Sequence, residues 1–363
     1  MMKNDKIDIA LIFGGKSAEH EVSIVSAQNI AKTINRKKYN LTYVGINKSG
    51  QWLLIGEQEM FSLKSISSQE KTPSEKAVIP YTRNNKFYLK IGKVEKIIDV
   101  VFPILHGPFG EDGTIQGLLK LYNVPFVGSS VLGSAIGMDK DVSKRLLKEA
   151  GVPVVKFMVY KKNQKGEISF EKIKKSLGAP FFIKPANLGS SVGISKIKIK
   201  NEFIAAIKNA FSFDNKIIIE EFIKGKEIEC SVLGNEKPIA SIPGEIIPTL
   251  DFYSYEAKYL DENGAKMAIP ANISKPLVEK IQMLAIKTFE TLCCEGMGRV
   301  DFFLTEKDKI FVNEINTIPG FTLISMYPKL LEKSGISYSK LIDKLIRLAI
   351  DRYKKETRLK TDR

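Results

Sequence analysis

No stretch of the sequence approaches the ~20 consecutive apolar residues of a membrane span, although hydrophobic residues make up 44% of the chain. Membrane association through a spanning helix is therefore not expected. The opening residues, Met1-Met2-Lys3-Asn4-Asp5-Lys6, run straight into the short apolar segment Ile7–Phe13. They lack the long apolar stretch and small-residue cleavage site of an export signal, so a cytoplasmic location is expected. Cysteine is scarce, with only Cys230, Cys293 and Cys294. Their spacing fits neither a zinc site, nor a CxxC motif, nor an even-numbered disulfide framework, which points to free thiols in a reducing compartment. No internal repeat is visible.

Acidic residues are also in deficit. Lys and Arg number 56 against 41 Asp and Glu, a formal charge of +15. Such a balance raises the question of nucleic-acid binding. The lysines, however, are spread along the whole chain, and the basic tail Arg352–Arg363 is diluted by Glu356 and Asp362. General lysine richness, with some attraction for anionic small substrates, is the favoured reading over a nucleic-acid function.

The length of 363 residues exceeds the ~250–300 at which a single core stops growing, so two or three domains are expected. Strand-like apolar runs alternate with helical periodicity, which predicts an α/β protein with parallel sheets. Strands are predicted at Ile7–Phe13, Leu41–Ile46, Ile97–Leu105, Gly298–Leu304 and Lys309–Ile315. Helices are predicted at Ser23–Asn35, Thr114–Tyr122, Met138–Ala150, Val278–Thr291 and Tyr338–Tyr353. Residues 57–77 are polar and read as a surface insertion. The expected units are 1–137, 138–226 and 227–363, the middle one lid-like.

Four motifs carry chemistry. Gly14-Gly15-Lys16-Ser17 follows a strand and ends like a P-loop, but Ala10 stands where the first glycine of that motif must be. It remains a strand-to-helix turn able to hold a charged ligand, and Glu19, His20 and Glu21 suit an amine better than a phosphate. Helix capping is the alternative. Lys184-Pro185-Ala186-Asn187-Leu188-Gly189-Ser190-Ser191-Val192-Gly193 places a lysine at a strand end before a small-residue loop, as phosphoryl transfer requires; a surface hairpin is the alternative.

The run Ile217-Ile218-Ile219-Glu220-Glu221, with Glu227 beyond it, puts carboxylates at a strand end, where they can accept hydrogen bonds from adenine or ribose or simply be solvated. The fourth motif is Arg299-Val300-Asp301 with Glu314-Ile315-Asn316. On paired strands the two-residue period brings Arg299, Asp301, Glu314 and Asn316 to one face. Two carboxylates and an amide suit Mg²⁺ completed by phosphate oxygens, while a structural salt bridge is the alternative.

Together these strings resemble the ATP-grasp superfamily, and in detail the D-alanine:D-alanine ligases. The residues that carry the likeness are Gly14–Ser23, Leu105-His106-Gly107, Gly110-Glu111-Asp112-Gly113-Thr114-Ile115-Gln116-Gly117, Met138-Asp139-Lys140, the Lys184–Gly193 loop, Tyr255–Tyr259, Gly298–Asp301 and Glu314–Gly320, in family order over nearly the whole chain. The resemblance implies a three-domain ATP-grasp fold, with an N-terminal parallel α/β domain and ATP bound between two sheets. It implies ligation of two D-alanines through a D-alanyl phosphate for peptidoglycan precursor synthesis, using ATP and two Mg²⁺, for which Mn²⁺ can substitute.

By the same resemblance Lys140, Lys184, Ser190 and Ser191 hold phosphates, and Glu220, Glu221 and Glu227 hold adenine and ribose. Asp301, Glu314 and Asn316 take the metals. Glu19 binds the first ammonium and His106 lies near its carboxylate. Arg299, Ser325, Met326 and the Gly320 amide place the second substrate, and Lys258 helps spread phosphoryl charge. Tyr259 bonds Ser190 to close the site beneath a mobile loop at 249–268, and favours an amine over a hydroxyl nucleophile. A homodimer is implied. Another ATP-grasp carboxylate–amine ligase, forming D-Ala-D-Ser or another dipeptide, is the enzymatic alternative, and a nonenzymatic basic binding protein is the other.

Overall fold

The segment Ile7–Gly14 is aliphatic or aromatic at nearly every position, the pattern of a strand covered on both faces, and it forms the middle of the first sheet. In the computed structural model, which describes residues 6–66, 75–190, 192–248 and 265–360, β1 (Ile7–Gly14) lies parallel to β2 (Tyr39–Ile46), and β3 (Trp52–Ile55) adds antiparallel to β2. Next come β4 (Val78–Arg83), β5 (Lys86–Ile91) and β6 (Val94–Ile98), a separate antiparallel meander. β7 (Val100–Ile104) then returns to the first sheet, parallel to β1.

The predicted strand Ile97–Leu105 is thus two strands. The break falls at Asp99, whose carboxylate accepts from the Asp8 N–H at 2.8 Å while its own N–H donates to the Asp8 carbonyl. The helix predicted from Ser23 starts earlier, at His20. The supposed insertion at 57–77 also departs from expectation. It contains a helix, Glu57–Ser62, that buries Met60, and Ile66 joins the same core. Gln28 fixes it by donating to the carbonyls of Met60 at 2.9 Å and Leu63 at 2.8 Å. Residues 67–74 of that stretch lie outside the described residues.

A helix at Val131–Met138 precedes Lys140–Glu149, where one helix from Met138 was expected. Asp139 ends the first and caps the second, its side chain accepting from the N–H groups of Asp141 and Val142 at 3.1 Å each.

The second sheet contains β8 (Phe157–Lys161), β9 (Phe181–Pro185), β10 (Ser195–Ile197) and β11 (Lys216–Glu221), in the order β10-β9-β11-β8, with every neighbour antiparallel. Helices Phe170–Leu177 and Lys200–Phe213 cover one face through Phe181, Ile183, Ile217 and Ile219. By the two-residue period the opposite face carries Phe182, Lys184, Ile218 and Glu220.

The third sheet comprises β12 (Gly225–Gly234), β13 (Ile239–Ala240), β14 (Gly244–Pro248), β15 (Ala265–Ala268), β16 (Gly296–Thr305) and β17 (Ile310–Asn316), again antiparallel throughout. Among the described strands, parallel pairing is therefore confined to the first sheet, apart from a single parallel bridge between Val154 and Val312 on β17, against the broader expectation. Helix–strand alternation does not dictate direction when the turn between β16 and β17 is hairpin-length and helical crossovers return to non-adjacent positions. Helix Lys275–Thr291 packs beneath the third sheet. The closing helix, Tyr338–Glu356, crosses back to the first sheet, and its Leu341, Ile342, Leu345 and Ile346 share one core with Ile9, Leu11 and Phe102.

Candidate active site

The face of the second sheet left uncovered by helices Phe170–Leu177 and Lys200–Phe213 meets β16 and β17 across a cavity of about 350 Å³, lined by Phe182, Lys184, Glu220, Glu227 and Glu314 among others. Lys184 on β9 donates to Glu220 Oε2 on β11 at 2.6 Å. Behind this pair Lys144, on the helix Lys140–Glu149, places its Nζ 3.1 Å from Glu220 Oε1 and donates to the Asn313 carbonyl at 2.8 Å. Burial alone would raise the Glu220 carboxyl, but Lys144 and Lys184 outweigh it and hold the pKa at about 2. Burial works against the Lys184 ammonium too, yet Glu220 and Glu314 prevail and raise its pKa, whereas at Lys144 burial wins and lowers it. Glu221 also lines the cavity and accepts from the Lys156 N–H at 2.7 Å.

On the third sheet the register places Arg299 opposite Asn316 and Asp301 opposite Glu314, the arrangement predicted from alternation. Arg299 donates through Nε and Nη2 to both oxygens of Asp301 at 2.8 Å, and its Nε lies 3.0 Å from Glu229 on β12. The bulge between Asp301 and Phe302 leaves Asn313 without a partner residue in the ladder and turns its carbonyl to Lys144. Lys140 reaches Glu314 Oε2 at 3.2 Å and donates to the Leu188 carbonyl of the Gly-Ser loop at 2.8 Å.

Does this set suit a divalent metal? Asn316 Oδ1 is buried with no hydrogen-bond partner among the described residues, a costly state for an amide oxygen unless a cation or ligand meets it. Asp301 and Glu314 add two hard oxygen donors beside it. Among the described residues no group of three or more His, Cys, Asp and Glu side chains forms a metal site. Two carboxylates and an amide alone are incomplete as a cage, and fit a Mg²⁺ whose remaining ligands are phosphate oxygens and water.

A third cluster stands at the first strand-to-helix turn. Glu19 precedes the helix His20–Thr33, and the Ser190 hydroxyl, 171 residues away in sequence, donates to Glu19 Oε1. Glu19 Oε2 lies over Gly107, where a Cβ would come within 2.8 Å of it, and Gly107 has φ +76°. His106 is buried, with Nε2 3.1 Å from the Ser26 hydroxyl and Nδ1 3.0 Å from the Ile318 carbonyl. Burial depresses its pKa and favours the neutral ring. Glu111, also buried, accepts from the N–H of Gly107 at 2.7 Å and of Ile318 at 3.3 Å. Burial first, and then the nearby Glu19 charge, push its pKa up to about 8.

Two family models match consecutive parts of the chain: the D-ala D-ala ligase N-terminus over residues 8–129 and the D-ala D-ala ligase C-terminus over residues 146–347. The chain belongs to the D-alanine–D-alanine ligase family. A D-alanine–D-alanine ligase of Oceanobacillus iheyensis is 53% identical over 99% of both chains, and ligase A of Escherichia coli strain K12 is 45% identical over 98% of this chain and 99% of its own. Among solved structures, the D-alanine-D-alanine ligase of Coxiella burnetii superposes with a TM-score of 0.86 at 38% identity, covering 97% of this chain and 96% of that one. The VanG D-Ala:D-Ser ligase of Enterococcus faecalis gives 0.83 at 38%, covering 95% and 100%. The fold of this ligase family is ATP-grasp.

Within this ligase-family frame, the structure brings Glu19, Ser190, Lys140 and Glu314 into one chain of contacts and places Lys184, Glu220 and Glu227 on one cavity. Gly320 is pressed against Ser325, whose hydroxyl a Cβ at 320 would meet at 2.6 Å. Ser325 itself accepts from the Thr322 N–H at 3.0 Å and precedes the helix Met326–Lys333. The Met326 side chain is buried with Ile246 and Leu330, which leaves its backbone rather than its thioether for a ligand. Ser191, Lys258, Tyr259 and most of the 249–268 loop lie outside the described residues.

Sequence reasoning missed three residues here. In the sequence Glu111 stands out only as part of the Gly110–Gly117 string. Glu229 sits one two-residue step beyond Glu227 on β12, and that spacing could have marked it. Lys144, a polar position on an amphipathic helix, left no signal.

Proposed function

We propose that the chain joins two molecules of D-alanine into D-alanyl-D-alanine, converting ATP to ADP and phosphate. The observation that carries this reading is the Ser190–Glu19 hydrogen bond. It ties the phosphate-type loop to the acidic turn, so an ammonium held by Glu19 lies beside the γ-phosphate that the loop would cover. A carboxylate is a poor electrophile, and phosphorylation turns it into a D-alanyl phosphate. The amine of the second D-alanine then attacks the acyl carbon, and the C–O bond to phosphate breaks.

Each residue acts by charge or position. Lys140 and Lys184 draw phosphate oxygens into line, and Glu227 holds the ribose. Glu19 fixes the first ammonium, and the neutral His106 packs beside the substrate's carboxyl end without adding charge. Arg299 and the Gly320 N–H face the oxyanion of the tetrahedral intermediate; losing one such donor typically costs about 10²–10³ in rate. Bound Mg²⁺, or Mn²⁺ in its place, supplies charge neutralisation on the phosphates, with Asp301, Glu314 and Asn316 as its protein ligands. Ser191, Lys258 and Tyr259 complete the phosphate contacts and the closure over the site.

The same reading takes residues 1–137, 138–226 and 227–363 as three units closing on the nucleotide, and the protein as a cytoplasmic homodimer serving peptidoglycan precursor synthesis. No described helix is long and apolar enough to cross a membrane. The test is ADP release with D-alanine, D-serine and L-alanine each offered alone, and with D-alanine paired with D-serine or D-lactate. Release with D-alanine and formation of the dipeptide are expected. Turnover confined to D-alanine paired with D-serine would replace the second substrate, and no ADP release with any D-amino acid would end the reading.

A further inference from the structure

Two buried lysines converge on one buried carboxylate at the back of the nucleotide cavity, with Glu314 near both of them. Lys144, Lys184 and Glu220 are two cations on one anion, with side chains 1%, 8% and 2% exposed. A single carboxylate does not need two ammonium partners for its own stability. Each buried lysine carries a desolvation cost that its ion pair must outweigh.

The two lysines differ in where they face. Lys184 lines the cavity, and its Nζ also lies 3.5 Å from Asn313 Oδ1, at the edge where phosphates would enter. Lys144 lies behind Glu220, held by the Asn313 carbonyl at 2.8 Å, and is not among the residues that line the cavity.

We infer that Lys144 is a positioning residue, the resident counter-ion that keeps Glu220 ionised as a hydrogen-bond acceptor when a nucleotide shares the Lys184 ammonium with its phosphates. The inference rests on the reading of this cavity as an ATP site. Without Lys144, Glu220 would face the bound nucleotide in a buried place with its one remaining cation drawn off, and it would take up a proton. A protonated Glu220 donates as well as accepts. It would then no longer prefer a base with an amino group at position 6, adenine, over one with a carbonyl there, hypoxanthine. Lys144 therefore acts on nucleotide affinity and base choice, and not on the D-alanine subsites.

The experiment compares the parent with Lys144→Met, Glu220→Gln and the double variant. It measures KM for ATP and for D-alanine, the ratio of kcat/KM between ATP and inosine triphosphate, and the Kd of ADP by calorimetry. Lys144→Met is expected to raise KM for ATP and Kd for ADP by about a hundredfold, the order found when a buried charge loses its partner. KM for D-alanine should stay within about twofold, with the ATP-over-ITP preference collapsing. Because glutamine needs no counter-ion, Lys144→Met should cost nothing further in the Glu220→Gln background.

Equal losses from Lys144→Met in both backgrounds would overturn the inference, as would a parallel rise in KM for D-alanine. If Lys144→Met fails to fold, Glu220→Gln and the double variant still decide: matching nucleotide constants support it and a tenfold gap overturns it. Failure of both lysine-free variants to fold also overturns it, because the lysine would then serve the scaffold. Absence of ADP binding by the parent would instead remove the nucleotide reading itself.

Discussion

Glu111 offers a quantitative test of the electrostatics around the first substrate turn. Its carboxyl is buried 2.7 Å from the Gly107 N–H and close to Glu19, and its pKa is raised from 4.5 to about 8. An acid whose folded pKa exceeds its unfolded value keeps a proton that the unfolded chain gives up. Between those two values stability therefore falls as pH rises, by about 1.4 kcal/mol per unit for one proton. Opposing it among the described neighbours is His106, whose depressed pKa makes stability fall as pH drops below its ordinary ~6.5. Above that point the Glu111 contribution is unopposed by His106, and from pH 6.5 to 8 it removes about 2 kcal/mol.

Glu111→Gln should replace this slope with a plateau. The new amide turns one NH₂ toward a backbone N–H and loses a hydrogen bond, costing about 1 kcal/mol at pH 6.5. By pH 8 the parent has lost more than that, and the variant should be the more stable of the two. Urea unfolding at half-unit pH steps reads this directly, with the single tryptophan, Trp52 on β3, as a fluorescent reporter within the same N-terminal part of the chain. Parallel pH profiles for parent and variant would refute the reasoning. So would a variant deficit that grows with pH.

Three further outcomes are expected. Glu314→Gln should abolish turnover by removing a metal ligand, and calorimetric titration of Mn²⁺ into its ADP complex should show weakened binding; parent-like turnover would remove Glu314 from the metal set. Gly320→Ala should drive a Cβ into the Ser325 hydroxyl at 2.6 Å and lower kcat by about 10²–10³ through the displaced N–H in a steady-state assay, and a parent-like kcat would remove the Gly320 N–H from the oxyanion site. Gly107→Ala, at φ +76° and 2.8 Å from Glu19 Oε2, should raise KM for D-alanine about tenfold or more by pushing the carboxylate aside, while KM for ATP changes little.

Much of the site was legible because its motifs sit on short periodic strands. The two-residue rule placed Arg299, Asp301, Glu314 and Asn316 correctly, since a strand's side-chain direction follows from sequence alone. What local pattern does not encode is the company a side chain keeps. Glu220 was read as an acceptor for a base, and nothing nearby in the sequence announced Lys144, 76 residues earlier, at its back. Strand direction escaped for a similar reason, being set by which strands become neighbours. The helix Val131–Met138 carries two glycines and no charge, which masked it beside the clearer periodicity that follows. Met60 and Ile66 were lost in the polar composition of their flanks.

The closing helix has a consequence for how the chain is made. Leu341, Ile342, Leu345 and Ile346 complete the core built on β1 and β7, so these two strands await a helix that is synthesised long after them. Premature termination before Tyr338 would leave a greasy sheet face open, inviting aggregation rather than a working shortened protein.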